Sequence, residues 1–349
     1  MANLEISAGN SLYYEYQPPG ATGQTFVFVN ALTGNTGMWQ VDAIGPALRA
    51  AGYGTLVYNF RGQVDSTFSQ DADLGPVTIV DDLKRIVDHV APPRPILAGL
   101  SIGGLFAAQA YLKGAAAEGL VLINTLRKPS LRLEWINSAM VRMAATGGGQ
   151  LIMEANLPML VNPEQLAKMR PTLLEGDYQP MKDGDGLYEL MKGSLGTDWD
   201  FPYEKLDILV LLMTGEHDRV FRIEADIAEL EARIAKKSHV VFDNAGHLIP
   251  AERPDRFSAE IMSFAASLEL RAGGPGHCQC RVWPVFRDLR HRHDRPDGHK
   301  CPGGRAWPHR RHVACAVSAR LHSGRSTARR VHTARQPRRR ARTGRLEHG

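Results

Sequence analysis

Residues 1–270 alternate short apolar runs with amphipathic stretches, and the change of period separates strands from helices. Apolar and β-branched runs predict strands over 12–16, 25–30, 55–60, 95–100, 120–124, 208–214 and 239–242. Several, such as ILVLLM, are apolar throughout, which suits strands buried on both faces of a parallel sheet. Helical spacing of apolar positions predicts helices over 38–51, 77–90, 102–112, 222–235 and 254–270. Strand followed by helix in repeated order implies right-handed crossovers and a mostly parallel, doubly wound α/β sheet.

One interval breaks the alternation. From 127 to about 203 no strand pattern occurs, and helical stretches over 131–144 and 163–169 are punctuated by Gly147–Gly149, Pro158, Pro171 and Gly184–Gly186. Seven of the eleven methionines fall here: Met140, Met143, Met153, Met159, Met169, Met181 and Met191. Any one of them is ordinary core filling, but together they suggest an adaptable apolar roof. The expected organisation is a core in two parts, 1–126 and 204–270, with a helical cap at 127–203 inserted between two sheet strands.

Charge divides the chain further. Residues 271–349 hold 19 Arg and one Lys against three Asp and one Glu, a net of +16, which leaves −11 on residues 1–270 and a modest +5 overall. All four cysteines (Cys278, Cys280, Cys301, Cys315) and nine of the thirteen histidines also lie in 271–349, so the body offers no disulfide and no cysteine metal site. The basic segment lacks Ile, Met, Asn and Tyr and has no apolar periodicity, so it cannot build a core. Its arginines admit a nucleic-acid arm and its His and Cys clusters a metal site, although neither spacing is specific. Its composition is also that of GC-rich DNA read out of frame or past a stop, and the expectation is a disordered, non-functional extension. No nucleic acid is expected for residues 1–270. The absence of a basic start followed by an apolar run, and of an apolar stretch of about 18 residues, leads to the expectation of a cytoplasmic protein without a membrane span.

The chemistry begins at Gly99-Leu100-Ser101-Ile102-Gly103-Gly104, between an apolar strand and a helix. This is G-x-S-x-G in the strand-turn-helix context that gives it meaning. The turn is so tight that the serine takes a strained backbone conformation, and a Cβ two residues either side would collide with neighbouring backbone. A serine needs a base, and the base an orienting acid. Of the four body histidines, His89 and His239 read as structural, and His217 adjoins the acid candidates too closely to face them. His247, after Gly246 in the loop following 239–242, is the expected base. In Gly215-Glu216-His217-Asp218, Asp218 is the favoured acid and Glu216 the runner-up, while the corresponding place after 120–124 holds Asn124 and Thr125. The chain order is Ser, Asp, His.

From Thr25 to Leu270 the chain resembles the α/β-hydrolase superfamily, and within it the capped esterase, enol-lactonase and C–C hydrolase branch. The segments that carry the likeness are FVFVNALTGNTGMWQ, YNFRGQVDST, LAGLSIGG, LMTGEHDRVF and NAGHLIPAERPDRFSAEIMSF. The resemblance implies an α/β-hydrolase fold, with Ser101 as nucleophile, Asp218 as acid, His247 as base, and an oxyanion hole from the backbone N–H groups of Leu32 and Ile102. Two departures stand out: Asn30-Ala31 where many relatives have His-Gly, and Arg61-Gly62-Gln63-Val64 where they have Arg-Gly-His-Gly. A serine nucleophile argues against haloalkane dehalogenase and epoxide hydrolase chemistry, and the lack of a strongly basic patch in the body against a polyanionic substrate.

The expected activity is two-step hydrolysis of a small hydrophobic ester, lactone or thioester through an acyl-enzyme, with no metal or organic cofactor. An acyltransferase or a C–C bond hydrolase uses the same triad, and a non-enzymatic ligand-binding protein uses the same fold. Because every candidate catalytic residue precedes position 270, truncation after Leu270 leaves kcat and thermal stability unchanged. Limited proteolysis checks this: trimming to about residue 270 with full activity is expected, and loss of activity in step with trimming contradicts it.

Overall fold

The computed structural model describes residues 2–174 and 176–272. The chain runs β1 (Ala2–Ser7), β2 (Asn10–Gln17), β3 (Thr25–Val29), α1 (Gly45–Ala50), β4 (Gly54–Tyr58), α2 (Pro76–Val90), β5 (Pro95–Leu100), α3 (Ile102–Leu112) and β6 (Gly119–Ile123). It continues through α4 (Leu131–Leu160), α5 (Pro163–Leu173), α6 (Gly186–Ser194), β7 (Leu209–Gly215), α7 (Glu224–Arg233), β8 (Lys237–Phe242), α8 (Ile249–Glu252) and α9 (Pro254–Ala272). The eight strands form one sheet in the order β1-β2-β4-β3-β5-β6-β7-β8. β2 is antiparallel to both β1 and β4, and the remaining pairs are parallel.

The period of two along each strand decides which core a side chain joins. On β3, Phe26 and Phe28 pack with Leu48 of α1 and with Phe257, Ile261 and Phe264 of α9. Val27 and Val29 pack on the opposite face with Leu83 and Ile86 of α2, Leu105 and Phe106 of α3, and Leu230 of α7. Helices therefore cover both faces, and the central strands are buried throughout. That burial explains their continuous apolar sequence.

Five expectations need correction. The predicted helix 38–51 is divided into a tight turn at Thr36–Gln40 and α1, because the Asn35 side chain caps Gly37 N–H at 2.8 Å and Pro46 starts a new helix. β1 went unpredicted: it is an edge strand on which only Leu4 and Ile6 turn toward the core. The glycines at 147–149 bend α4 instead of ending it, with Gly148 at φ 66° and ψ −157°. α6, unpredicted, begins at Gly186, read in the sequence as a breaker. α9 also runs two residues past 270, and expectations for the basic segment beyond it lie outside the described residues. No described helix is long and apolar enough to cross a membrane.

The bend in α4 is a glycine requirement. A Cβ on Gly148 would meet the backbone oxygen of Gln179, whereas one on Gly149 would meet only Met181 Cε at 3.9 Å. Gly148→Ala is therefore expected to lower stability by at least the 1–3 kcal/mol, to order of magnitude, that such backbone costs other residues. Gly149→Ala should leave stability level or slightly raised. Thermal unfolding of the two variants checks the contrast.

Candidate active site

Parallel strands deliver their carboxyl ends to one edge of the sheet, and the candidate residues follow from those ends. Ser101 follows β5 with φ 60° and ψ −126°, a left-handed conformation unusual for a residue with a side chain. Its N–H donates to Ile123 O of β6 at 2.7 Å. A Cβ on Gly99 would strike the backbone of Gly103, one on Gly103 would strike Asn30 O, and one on Gly104 would strike Thr125 Oγ1. The glycines therefore let three strand ends close around the serine.

Asp218 follows β7 and is almost fully buried. Its Oδ2 accepts from His247 Nδ1 at 2.6 Å, and its Oδ1 accepts from the N–H groups of Val220 and Phe221 at 3.1 and 2.9 Å. Burial pushes its pKa up, but the imidazole, these donors and the charge of Arg127 outweigh that and hold it below the ordinary carboxylate value. Glu216, the runner-up, is exposed. His239 bonds Thr214 and Glu231 at 2.8 Å each, and His89 meets Tyr14.

The loop carrying His247 is held on three sides. Asn124 Nδ2 donates to Gly246 O and His247 O at 3.0 and 2.9 Å, while its Oδ1 accepts from Gly215 N–H at 3.0 Å. The buried Glu252 carboxylate accepts from the N–H groups of Gly246, Leu248 and Asn162 at 2.9, 3.0 and 2.7 Å. His247 N–H donates to Leu160 O, at the end of α4.

The loop after β3 contains Leu32, and the two sequence departures meet beneath it. Asn30 Nδ2 donates to Gln63 Oε1 at 3.0 Å, and Gln63 Nε2 donates to Ala31 O and Leu32 O at 3.1 and 3.0 Å. Trp39 Nε1 donates to Asn30 Oδ1 at 2.7 Å. The two departures noted in the sequence, Asn30 and Gln63, thus form one bonded pair. Ile102 N–H opens α3, where a helix leaves its first N–H groups without an intrahelical acceptor.

Ser101, Ile102, Leu32 and His247 all line a cavity of about 210 Å³. Its roof is mostly apolar, with Met140, Val141, Ile152 and Met153 of α4 and Met191 of α6, although Asn137 and Asn156 of α4 and Ser194 of α6 also line it. Of the seven methionines noted in the sequence, Met140, Met153 and Met191 line it, and Met159 is exposed instead.

One residue escaped the sequence reading. Arg127, four residues beyond β6, is buried and lines the cavity. Its Nη2 donates to Ser101 Oγ at 2.7 Å and to Asn124 O at 3.2 Å. Among the described residues no hydrogen bond joins Ser101 Oγ to His247 Nε2. The guanidinium lies 3.9 Å from the Phe221 ring centre and 5.0 Å from that of Trp199. Burial pushes its pKa down to about 10, against the attraction of Asp218. A cation placed just after a strand, on the edge that also carries the serine, was the available signal.

Among the described residues, no group of three or more His, Cys, Asp or Glu is placed to hold a metal ion. The fold is similar to that of an esterase (EaEST) from Exiguobacterium antarcticum, at 17% identity and TM-score 0.63, over 76% of this chain and 98% of that one. It is also similar to the enol-lactonase from Burkholderia xenovorans LB400, at 24% identity and TM-score 0.62, over 74% and 97%. In sequence, 153 residues are 31% identical to a protein of Variovorax paradoxus (strain S110) that carries the name carbamate hydrolase RutD. That match covers 44% of this chain and 56% of the relative's length. The model of the alpha/beta hydrolase family matches residues 26–260, and with the eight-stranded sheet and its covering helices this establishes that the chain belongs to the alpha/beta hydrolase family.

Proposed function

We propose that this chain is a serine hydrolase that cleaves a small carboxylic ester, lactone or thioester with an apolar part, through an acyl-enzyme on Ser101. The observation that carries the reading is the 2.6 Å contact of His247 Nδ1 with Asp218, on a histidine that shares the apolar cavity with Ser101 at its strained turn. His247 Nε2 takes the Ser101 proton as Oγ attacks the carbonyl carbon. The N–H groups of Leu32 and Ile102 stabilise the oxyanion, and His247 returns the proton to the leaving alcohol or, from a thioester, the leaving thiol. Water, activated by the same imidazole, then releases the acid. Asp218 fixes the ring and stabilises its cation. The helices α4–α6 act as the cap that excludes water and binds the apolar part, and 210 Å³ favours a small group there. The relative named a carbamate hydrolase supports a second substrate class, since a carbamate carbonyl is attacked by the same steps.

Ser101→Ala is expected to lower hydrolysis by several orders of magnitude with the fold retained, and to abolish labelling by a fluorophosphonate. Asp218→Asn should fall by about 10³–10⁴-fold, and Glu216→Gln little. A rate panel of esters, lactones and carbamates, run on all three variants, tests the roles and separates the substrate classes.

Asp218 also sets a pH dependence of stability. Its folded-state pKa lies below the ordinary 3.8, so its contribution is complete above about pH 4 and is lost as pH falls through the folded value. The stability difference between the protein and its Asp218→Asn variant should therefore be constant from pH 7 to about 5 and shrink below 4. Urea unfolding across that range measures it.

A further inference from the structure

Arg127 is a buried cation most of whose hydrogen-bonding capacity is idle. A guanidinium offers five N–H donors. Nη2 reaches Ser101 Oγ and Asn124 O, Nε is buried with no partner, and Nη1 has no acceptor among the described residues. Leaving a buried donor such as Nε unpaired away from water is costly. The nearby carboxylate does not relieve this: Asp218 accepts from His247, Val220 and Phe221, and among the described residues no hydrogen bond joins it to Arg127. The Phe221 and Trp199 rings pack within 3.9 and 5.0 Å of the guanidinium, and Arg127 is the single Lys or Arg lining the cavity among the described residues.

We propose that Arg127 receives a carboxylate of the substrate, so that the site takes esters or lactones bearing one carboxylate a few bonds from the scissile carbonyl and an apolar remainder under α4–α6. This rests on the acyl-enzyme reading above. Distance sets the spacing: Nη2 is 2.7 Å from Ser101 Oγ, and the carbon under attack must come within about 3–3.5 Å of that oxygen. A carboxylate on the same rigid group is then only a few bonds from that carbon. Charge sets the class: one guanidinium matches one planar carboxylate. A polyanion would bring charge for which the cavity has no further cation. Arg127 is thereby a specificity-determining residue, and its contact with Ser101 Oγ is what the incoming substrate replaces.

The test compares monohexyl succinate with hexyl succinamate, which replaces the carboxylate by a neutral carboxamide of the same shape. The wild-type protein should favour the carboxylate by about 10–100-fold in kcat/KM, carried mainly by KM. Arg127→Met should erase the preference and Arg127→Lys should restore part of it. Equal rates for the two substrates on the wild-type protein overturn the proposal, as does an Arg127→Met loss that is the same factor on both, which would mean the arginine acts on the nucleophile. A binding arm needs no turnover: hexanoate should raise the unfolding midpoint of the wild-type protein more than hexanamide does. No cleavage of any ester overturns the hydrolase reading, whereas equal shifts by hexanoate and hexanamide overturn the carboxylate site.

Discussion

The candidate site depends on how closely backbone packs around Ser101. With φ at 60°, the serine holds a conformation that costs on the order of 1–3 kcal/mol, and the surrounding sheet must hold it there. Three glycines make this possible, since a Cβ at 99, 103 or 104 would push against α3, the end of β3 or Thr125. The strand ends that crowd in are those leading to Leu32, Ser101 and Arg127. Loosening the turn would therefore displace the Leu32 loop, the serine and the arginine together.

A second set of contacts ties the candidate base to the helices above it. Glu252 accepts from residues on both sides of His247 and from Asn162, at the start of α5. His247 N–H bonds the carbonyl of Leu160, and a Cβ on Gly246 would strike that same oxygen. The end of α4 thus contributes both to the cavity roof and to the placement of the imidazole. A shift of α4 that reshapes the cavity roof must also move the His247 backbone, so the shape of the cavity and the position of the imidazole are mechanically linked.

The sheet was largely legible in the sequence because its central strands are buried on both faces and read as unbroken apolar runs. β1 was not, because an edge strand with two core-facing side chains leaves almost no periodic signal. The glycines within 131–194 misled for a different reason: Gly148 supplies a bend that only tertiary contact with Gln179 requires, and Gly186 opens a helix. At the site, Ser101, Asp218 and His247 announce themselves through local grammar, a glycine elbow and two loops after strands. Arg127 has no motif. Its neighbours Ser101, Phe221 and Trp199 lie 26, 94 and 72 positions away in the chain, so its burial is a property of the fold alone.

An unpaired guanidinium is a poor choice for stability, since a buried charge with unused donors costs more than an apolar side chain of similar size. A protein that breaks a rule of polar satisfaction usually does so where it works, and here the exception sits against the candidate nucleophile. The long-range field argues in the opposite direction, because residues 1–270 carry a net −11 and repel an anion in bulk solvent. That repulsion is screened beyond about 8 Å at physiological ionic strength. Arg127 lies in a cavity lined mainly by apolar side chains, with Asn137, Asn156 and Ser194 among the polar ones, where screening is weaker and the effective dielectric lower than in bulk water. On the proposal above, recognition of an anion is accordingly decided within the cavity, by one fixed cation at contact distance, while the acidic body slows the approach of all anions alike.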